Sequence, residues 1–186
     1  IAGLYPAVRA ARLAPAEASL REHLKQRPTD VAAIRMFAEV AARLGRYGDS
    51  EKLLTRCLEL VPGFTAARHN YALVLYRSNK AAEALPQVEQ LLALEPRNPS
   101  YRNLKAAILG RIGEYEQSIA LYRGVLADYP NQAKIWTSYG HALKTAGQQA
   151  QCVAAYRKAV ELAPQFGEAW WSLANLKTLK FDDADI

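Results

Sequence analysis

Residues 133–164 read AKIWTSYGHALKTAGQQAQCVAAYRKAVELAP, and this stretch shows the repeating pattern of the chain most completely. Its last residue, Pro164, belongs to a series of prolines at positions 28, 62, 96, 130 and 164, which are spaced 34 residues apart. A fixed period in this range is typical of arrays of small structural repeats. The sequence therefore predicts that one supersecondary unit is repeated along the chain.

Two further positions keep the same period when proline is counted as position 32 of each repeat. Position 8 is always small and position 15 is glycine or asparagine: Ala38, Ala72, Ala106, Gly140 and Ala174, and then Gly45, Asn79, Gly113 and Gly147. Small side chains allow two helices to approach closely. Glycine and asparagine adopt the left-handed conformation in which a helix ends and the chain reverses. Each repeat is therefore predicted to be a helix, a tight turn and a second helix.

The second helix of each repeat has one apolar or small face, at positions 20, 24 and 27. The proline then ends this helix, because it disfavours helical geometry in the residue before it and donates no backbone hydrogen bond. A single hairpin of this kind cannot bury its apolar face, so neighbouring hairpins must stack. The predicted fold is all-α, an α-solenoid of stacked antiparallel helix hairpins.

The period also gives the predicted organisation of the chain. Four complete repeats span 31–64, 65–98, 99–132 and 133–166, after a partial repeat at 1–30 and before a truncated one at 167–186. We expect a second helix at about 15–27 and a first helix at about 167–179. Residues 1–13 are not assigned, since Pro6 argues against a long helix there.

Composition and charge exclude several classes of protein. The chain is 51% hydrophobic and 23% charged, in the range of ordinary globular proteins. Half of its net charge of +6 comes from residues 1–28 and half from the rest of the chain, where basic and acidic residues are mixed. Because there is no basic cluster, nucleic-acid binding is not expected. No apolar run approaches the ~18 residues of a membrane span, and no signal peptide is evident. We therefore predict a cytoplasmic protein.

The sequence contains no recognisable catalytic or metal-binding motif. Cys57 and Cys152 lie three repeats apart, too far for a disulfide, and the histidines lack partners at ligand spacing. No phosphate-binding glycine loop, nucleophile elbow or facing carboxylate pair is found. We expect no enzyme activity, cofactor or metal in this segment.

The repeat resembles the tetratricopeptide repeat, whose pattern combines aromatic, Leu, Gly, Tyr, Ala and Pro positions over 34 residues. The fourth repeat matches best, with Trp136, Tyr139, Gly140, Cys152, Tyr156, Ala159 and Pro164. The first three depart from the pattern at position 4, where the aromatic residue is replaced by Ile34, Arg68 and Arg102. This resemblance implies a right-handed α-solenoid, a superhelix with a concave groove that binds an extended polypeptide or a partner domain.

Ten residues of the first helices are the predicted ligand-groove residues: Arg35, Arg43, His69, Asn70, Tyr76, Arg77, Asn103, Arg111, His141 and Lys144. Among them, Arg43, Arg77 and Arg111 are 34 residues apart and would form a ladder of guanidinium groups suited to carboxylates or backbone carbonyls. An alternative interpretation is that each arginine stabilises the C-terminal end of its helix dipole. The two interpretations are compatible.

A narrower resemblance concerns ARHNYALVLY at 67–76, NLKAAILGRIGEYE at 103–116, WTSYGHALKTAG at 136–147 and FGEAWWSLANLKTLKFDDADI at 166–186. These stretches are similar to the N-terminal repeat region of bacterial tetratricopeptide-containing sulfotransferases. The resemblance implies a sulfotransferase domain downstream in the same chain, to which this segment would present an acceptor. No catalytic residue of that family falls within these residues.

The end of the sequence gives one more expectation. A first helix without its second helix would leave Trp170, Leu173 and Leu176 without intramolecular cover. Terminal repeats normally need a polar capping face for solubility. We therefore predict that this end self-associates or packs against a neighbouring molecule in a crystal, and that the native chain continues with further helices.

Overall fold

The chain is helical throughout the part that the computed structural model describes, residues 4–176, with side chains described from residue 13. The first five helices are α1 (Leu4–Gln26), α2 (Val31–Arg43), α3 (Tyr47–Leu60), α4 (Thr65–Arg77) and α5 (Ala81–Leu94). The next five are α6 (Pro99–Arg111), α7 (Tyr115–Asp128), α8 (Ala133–Thr145), α9 (Gln149–Leu162) and α10 (Gly167–Ala174). No strand occurs within residues 4–176, which confirms the all-α prediction.

These helices form two compact units, residues 1–96 and residues 97–186. In the N-terminal unit, α2 pairs with α3 and α4 with α5, while α1 packs on α2 and α3 on α4. In the C-terminal unit, α6 pairs with α7 and α8 with α9, and α10 packs on both α8 and α9. Each unit is therefore a stack of helix hairpins in which the first helices also contact one another, as α2 and α4 do.

The turn inside each hairpin has the predicted left-handed residue. Backbone φ is +78° at Gly45, +64° at Asn79, +95° at Gly113 and +75° at Gly147. Asparagine is among the few non-glycine residues that adopt this conformation readily. The four turns are therefore equivalent although the second one lacks glycine.

The two helices of a hairpin cross most closely at position 8. Ala38, Ala72 and Ala106 are fully buried there. In two hairpins a serine hydroxyl of the second helix donates to the backbone carbonyl of this alanine: Ser50 Oγ to Ala38 O at 2.7 Å, and Ser118 Oγ to Ala106 O at 2.7 Å. Because such a bond needs the backbone to be reachable, only a small residue fits at position 8.

The fourth hairpin makes the same crossing with a different pair of residues. Gly140 lies directly against the ring of Tyr156, which is 1% exposed. A Cβ atom added at Gly140 would lie 2.4 Å from Tyr156 Cε1, well inside the contact distance. Here the crossing requires glycine rather than alanine, because the aromatic ring occupies the space of the missing methyl group.

At position 4, Arg68 makes the same hydrogen bond as the tryptophan that occupies this position in other repeats. Trp136 Nε1 donates to Pro130 O at 2.7 Å, and Trp170 Nε1 donates to Pro164 O at 2.8 Å. Arg68 Nη2 donates to Pro62 O at 2.7 Å, which is the same bond across the same six-residue separation. Arg68 therefore fills the role of the tryptophan and stabilises the junction between successive hairpins.

The N-terminal helix is longer than expected. α1 begins at Leu4 rather than near residue 15 and includes Pro6 and Pro15. Pro6 lies in the first turn of α1, where backbone N–H groups have no intrahelical acceptor, so proline is tolerated there. The expectation that Pro6 prevents a long helix was therefore wrong.

The C-terminal helix is shorter than expected and better covered. α10 ends at Ala174, whereas the predicted helix ran to about 179, and 177–179 lie outside the described residues. Leu173 and Leu176 are buried in one core cluster with residues of α6 to α9. The prediction that these two leucines lack cover was wrong, because α10 packs into the preceding hairpin. Self-association through this end stays a prediction.

Candidate functional site

Two N-caps fix where the first helices begin, and hence where their side chains project. Asp30 Oδ1 accepts hydrogen bonds from the backbone N–H groups of Ala32 and Ala33, both at 3.1 Å. Its Oδ2 is 2.8 Å from His23 Nε2, and this bond is the main cause that lowers the pKa of Asp30. Asn98 caps α6 in the same way, with Oδ1 accepting from Ser100 N at 3.0 Å. Similar caps thus orient α2 and α6.

The ten predicted groove residues all lie on first helices, and none of them is buried. We call the surface to which these positions belong the first-helix face. Six of the residues are on α2 and α4 of the N-terminal unit, and four are on α6 and α8 of the C-terminal unit. Since α2 contacts α4, the first six lie on two adjacent helices of their unit. A role in ligand binding stays a prediction for all ten.

One acidic residue neutralises two of the predicted cations on α2. Glu39 Oε1 lies 2.6 Å from Arg43 Nη2, and Glu39 Oε2 lies 3.6 Å from Arg35 Nη1. All three side chains keep some exposure to solvent, so these pairs stabilise the fold only weakly. Arg35 and Arg43 are therefore engaged with Glu39 in the structure, and a ligand carboxylate would have to compete with it.

Arg77 differs from these two arginines. It is exposed and makes no ion pair with any other residue that the structure describes. It is also the last residue of α4, as Arg43 is of α2 and Arg111 of α6, so the helix-dipole interpretation of these arginines keeps its geometric basis. Among the four predicted groove cations or histidines on α2 and α4, Arg77 is therefore the one whose charge is not already engaged by Glu39 or reduced by burial.

Two neighbouring residues on α4 are partly withdrawn from solvent. Burial lowers the pKa of His69, which favours its neutral form. Asn70 Nδ2 is closed to solvent and has no hydrogen-bond partner in the structure. Leaving a buried amide donor unsatisfied costs about 1–3 kcal/mol. Rotating the Asn70 amide outward to bind a ligand would therefore break no hydrogen bond at this nitrogen.

The C-terminal unit contains a corresponding asparagine on α6. Asn103 Oδ1 is also buried without a hydrogen-bond partner. The unsatisfied atom is an acceptor here, whereas it is a donor in Asn70. In the described part of each unit, one asparagine of a first helix therefore has a hydrogen-bonding atom without a partner.

His141 connects α8 to α10. Its Nε2 lies 3.1 Å from Ser172 Oγ, and its ring packs edge-on against Tyr156 with 5.5 Å between ring centroids. Burial lowers the pKa of His141; Glu168 opposes this effect and Lys144 adds to it. The neutral imidazole is therefore favoured at neutral pH.

Sequence reasoning did not select Ser172 as a candidate residue. The available signal was its repeat position, because Ser172 occupies position 6, the same position as Asn70. Its neighbour Trp171 is 67% exposed, although tryptophan is among the residues that proteins most often bury in part. The first-helix face of the C-terminal unit therefore includes α10 as well as α6 and α8.

Cysteine and metal chemistry have little support in the described residues. Cys57 and Cys152 are free and buried, and burial raises the pKa of both thiols. Within residues 4–176 no three His, Cys, Asp or Glu side chains are grouped closely enough to hold a metal ion.

None of the described helices combines the length and the apolar character needed to cross a membrane.

Family models of the tetratricopeptide repeat match residues 41–108 and residues 133–166. Together the two matched segments account for more than half of the chain. The chain is a tetratricopeptide repeat protein. This agrees with the hairpins, the left-handed turns and the close helix crossing described above.

Several solved tetratricopeptide structures and related proteins have a similar fold. PilW, a widely conserved type IV pilus biogenesis factor, has a TM-score of 0.77 at 20% identity, over 91% of this chain and 82% of that one. MamA from Desulfovibrio magneticus RS-1 has a TM-score of 0.73 at 20% identity, over 88% and 95% of the two chains. YrrB, a tetratricopeptide protein with an unusual peptide-binding site, has a TM-score of 0.68 at 15% identity, over 88% and 84%. No curated protein is a significant match to the sequence. At these identities the likeness concerns the fold alone.

Proposed function

We propose that this tetratricopeptide repeat chain is a protein-interaction scaffold whose first-helix face binds an extended polypeptide. The observation that carries the proposal concerns two residues of α4: among the residues that the structure describes, the amide nitrogen of Asn70 has no hydrogen-bond partner and Arg77 has no ion-pair partner. The two residues are seven positions apart, which places them on the same side of α4. Together they offer a hydrogen-bond donor and a positive charge along one face.

The chemistry of a polypeptide backbone suits this face. An extended segment presents one carbonyl acceptor and one N–H donor per residue. The Asn70 nitrogen would donate to a carbonyl, and in the C-terminal unit the Asn103 oxygen would accept from an N–H group. Arg77 would add a contact to a carboxylate or a carbonyl. The peptide-binding site of YrrB, a protein of the same fold, supports a role of this kind.

Selection from a displayed library of random peptides tests the proposal, followed by titration calorimetry of the selected peptides. Replacing Asn70→Ala removes one hydrogen bond and should weaken binding by about tenfold. The change Arg77→Ala should weaken it a few-fold, and added salt should reduce this difference. Arg56→Ala on α3 is the matched control, because Arg56 is an exposed arginine whose ion pair among the described residues is with Glu59, at 3.3 Å.

The proposal is contradicted if the Asn70→Ala and Arg77→Ala variants bind the selected peptides with the same affinity as the parent chain. A failure to select any peptide would also count against it. Circular dichroism and thermal melting of each variant separate loss of binding from loss of fold.

The second role predicted from the sequence, an accessory region that presents an acceptor to a downstream sulfotransferase domain, rests on the sequence resemblance alone. None of the structural neighbours named above is described as a sulfotransferase. That role stays a prediction, as does the cytoplasmic location.

A further inference from the structure

A groove of about 680 Å³ lies on the second-helix side of the C-terminal unit, between α7 and α9. We call it the α7–α9 groove. Its apolar lining comes from three helices and includes Leu126, Trp136, Ala154 and Ala155. Trp136 is held in place because its indole nitrogen donates to Pro130 O at 2.7 Å. The groove can therefore accept a bulky apolar side chain against a fixed aromatic surface.

Two charged residues line the α7–α9 groove within the described part of the chain, and both are positive: Arg123 of α7 and Lys158 of α9. None of the described lining residues carries a carboxylate. Arg123 is exposed and has no ion-pair partner within the described part of the chain. Lys158 Nζ lies 2.7 Å from Glu161 Oε1, but the Glu161 side chain is 67% exposed. Such an exposed pair is weak, so a ligand carboxylate could replace Glu161 at little cost.

The equivalent positions of the N-terminal unit, on α3, α4 and α5, show that this chemistry does not follow from the fold alone. Arg68 stands where the α7–α9 groove has Trp136, and Gln87 stands where it has Ala155. Arg68 Nη1 donates to Gln87 Oε1 at 2.7 Å, so a polar bridge occupies these positions. Glu83 also takes the place of Gln151. The combination of an apolar lining and two cations is therefore particular to the C-terminal unit.

We propose that the α7–α9 groove is a second binding surface, which takes an acidic segment of a partner protein. A bulky apolar side chain of the segment packs on Trp136 and the exposed Ala154, and aspartates or glutamates beside it pair with Arg123 and Lys158. The complementarity of charge decides this choice of partner. The surface is separate from the first-helix face, so the two proposals can succeed or fail independently.

The test is selection from a peptide library with a central phenylalanine, tryptophan or leucine, flanked by positions randomised among Asp, Glu, Ser and Lys. The parent chain is expected to enrich peptides with Asp or Glu beside the apolar residue. The double change Arg123→Ala and Lys158→Ala should lower the affinity for the selected peptides about tenfold. The change Arg123→Lys keeps the positive charge and should retain most of the affinity.

Two further variants locate the site. Ala154→Glu places a negative charge in the groove and should abolish binding, and because Ala154 is exposed this change should leave the melting midpoint nearly unchanged. Asn70→Ala alters only the first-helix face and should bind the acidic peptides like the parent chain. The proposal is overturned if no acidic enrichment occurs, if lysine is enriched instead, or if the enriched peptides bind Ala154→Glu as tightly as the parent.

Discussion

The hairpin α4–α5 of the N-terminal unit and the hairpin α8–α9 of the C-terminal unit have the same repeat pattern but different chemistry. Both use position 4 to donate a hydrogen bond to a proline carbonyl, through Arg68 in one and Trp136 in the other. The arginine also bridges to Gln87, whereas the tryptophan lines an apolar groove. The backbone contacts of the repeat therefore tolerate different side chains, and these side chains decide what each surface can bind.

The helix crossing inside the hairpins shows a similar contrast. In α2–α3, Ser50 reaches the carbonyl of Ala38, while in α8–α9 the ring of Tyr156 covers Gly140. One crossing is held by a hydrogen bond and the other by aromatic packing. The following predictions test whether the two crossings respond differently to mutation.

Removing the aromatic ring should have the largest effect. Tyr156→Ala would leave a large cavity at a fully buried site and should lower the free energy of unfolding by about 3–5 kcal/mol. Val88→Ala, at the same repeat position in α5, removes fewer atoms and should cost about 2 kcal/mol. Chemical denaturation measures the free energy of unfolding of both variants. Equal losses would show that the aromatic ring contributes no more to stability than valine does at the same position.

Enlarging the small residue at position 8 should have the second-largest effect on stability. Ala72 is fully buried, so Ala72→Leu would overpack the crossing and cost about 1–3 kcal/mol. The exposed Ala174 occupies position 8 in α10, so Ala174→Leu is the matched control and should have little effect on the melting midpoint. An unchanged midpoint for Ala72→Leu would contradict the close crossing.

Adding one methyl group at Gly140 should distinguish the aromatic crossing from the alanine crossing by its effect on stability. Gly140→Ala forces the ring of Tyr156 to move, and the gain in helix propensity of about 1 kcal/mol offsets only part of this cost. We expect a net loss of about 1 kcal/mol. Adding Tyr156→Leu, which recreates the Ala38 and Leu54 pair of α2–α3, should make Gly140→Ala neutral or stabilising relative to Tyr156→Leu alone. A penalty that persists in this background would contradict the contact with the ring.

The smallest expected effect concerns the caps of α2 and α6, where the N-terminal unit uses an acid and the C-terminal unit an amide. The pKa of Asp30 is lowered in the folded chain. Its stabilising contribution is therefore present above the pKa of an unfolded aspartate and is lost as pH falls through the folded value. Asp30→Asn should reduce the fall in melting midpoint between about pH 6 and about pH 3, whereas Asn98→Asp should increase it. Identical acid profiles for both variants and the parent would show that the caps do not differ.

The sequence predicted the features that depend on local backbone geometry. The left-handed turns at Gly45 and Asn79 and the small residue at Ala72 follow from steric rules that apply at every repeat. The bond from Arg68 to Pro62 was not predicted, because arginine at an aromatic position looks like a departure until its reach is known. The burial of Leu173 was missed because it depends on how far α10 enters the preceding hairpin. These features depend on distances between elements, which periodicity alone does not give.

The sequence predicted which helices carry the candidate site, but not which of its side chains already have hydrogen-bond or ion-pair partners. All ten selected residues lie on first helices and none is buried. The sequence could not show that Glu39 already pairs with Arg43 or that the Asn70 nitrogen lacks a partner, because both depend on side-chain conformation. It also missed the α7–α9 groove, since that surface arises where three helices meet.

The central claim is that the first-helix face binds an extended polypeptide. The most direct measurement follows the backbone amide signals of the isotope-labelled chain during titration with a peptide selected from the random library. If the first-helix face binds the peptide, the largest shifts fall on α4, including Asn70 and Arg77, with further shifts on α2 and little change on α3 and α5. Shifts concentrated on α3 and α5, or on α7 and α9 for peptides without acidic residues, would contradict it.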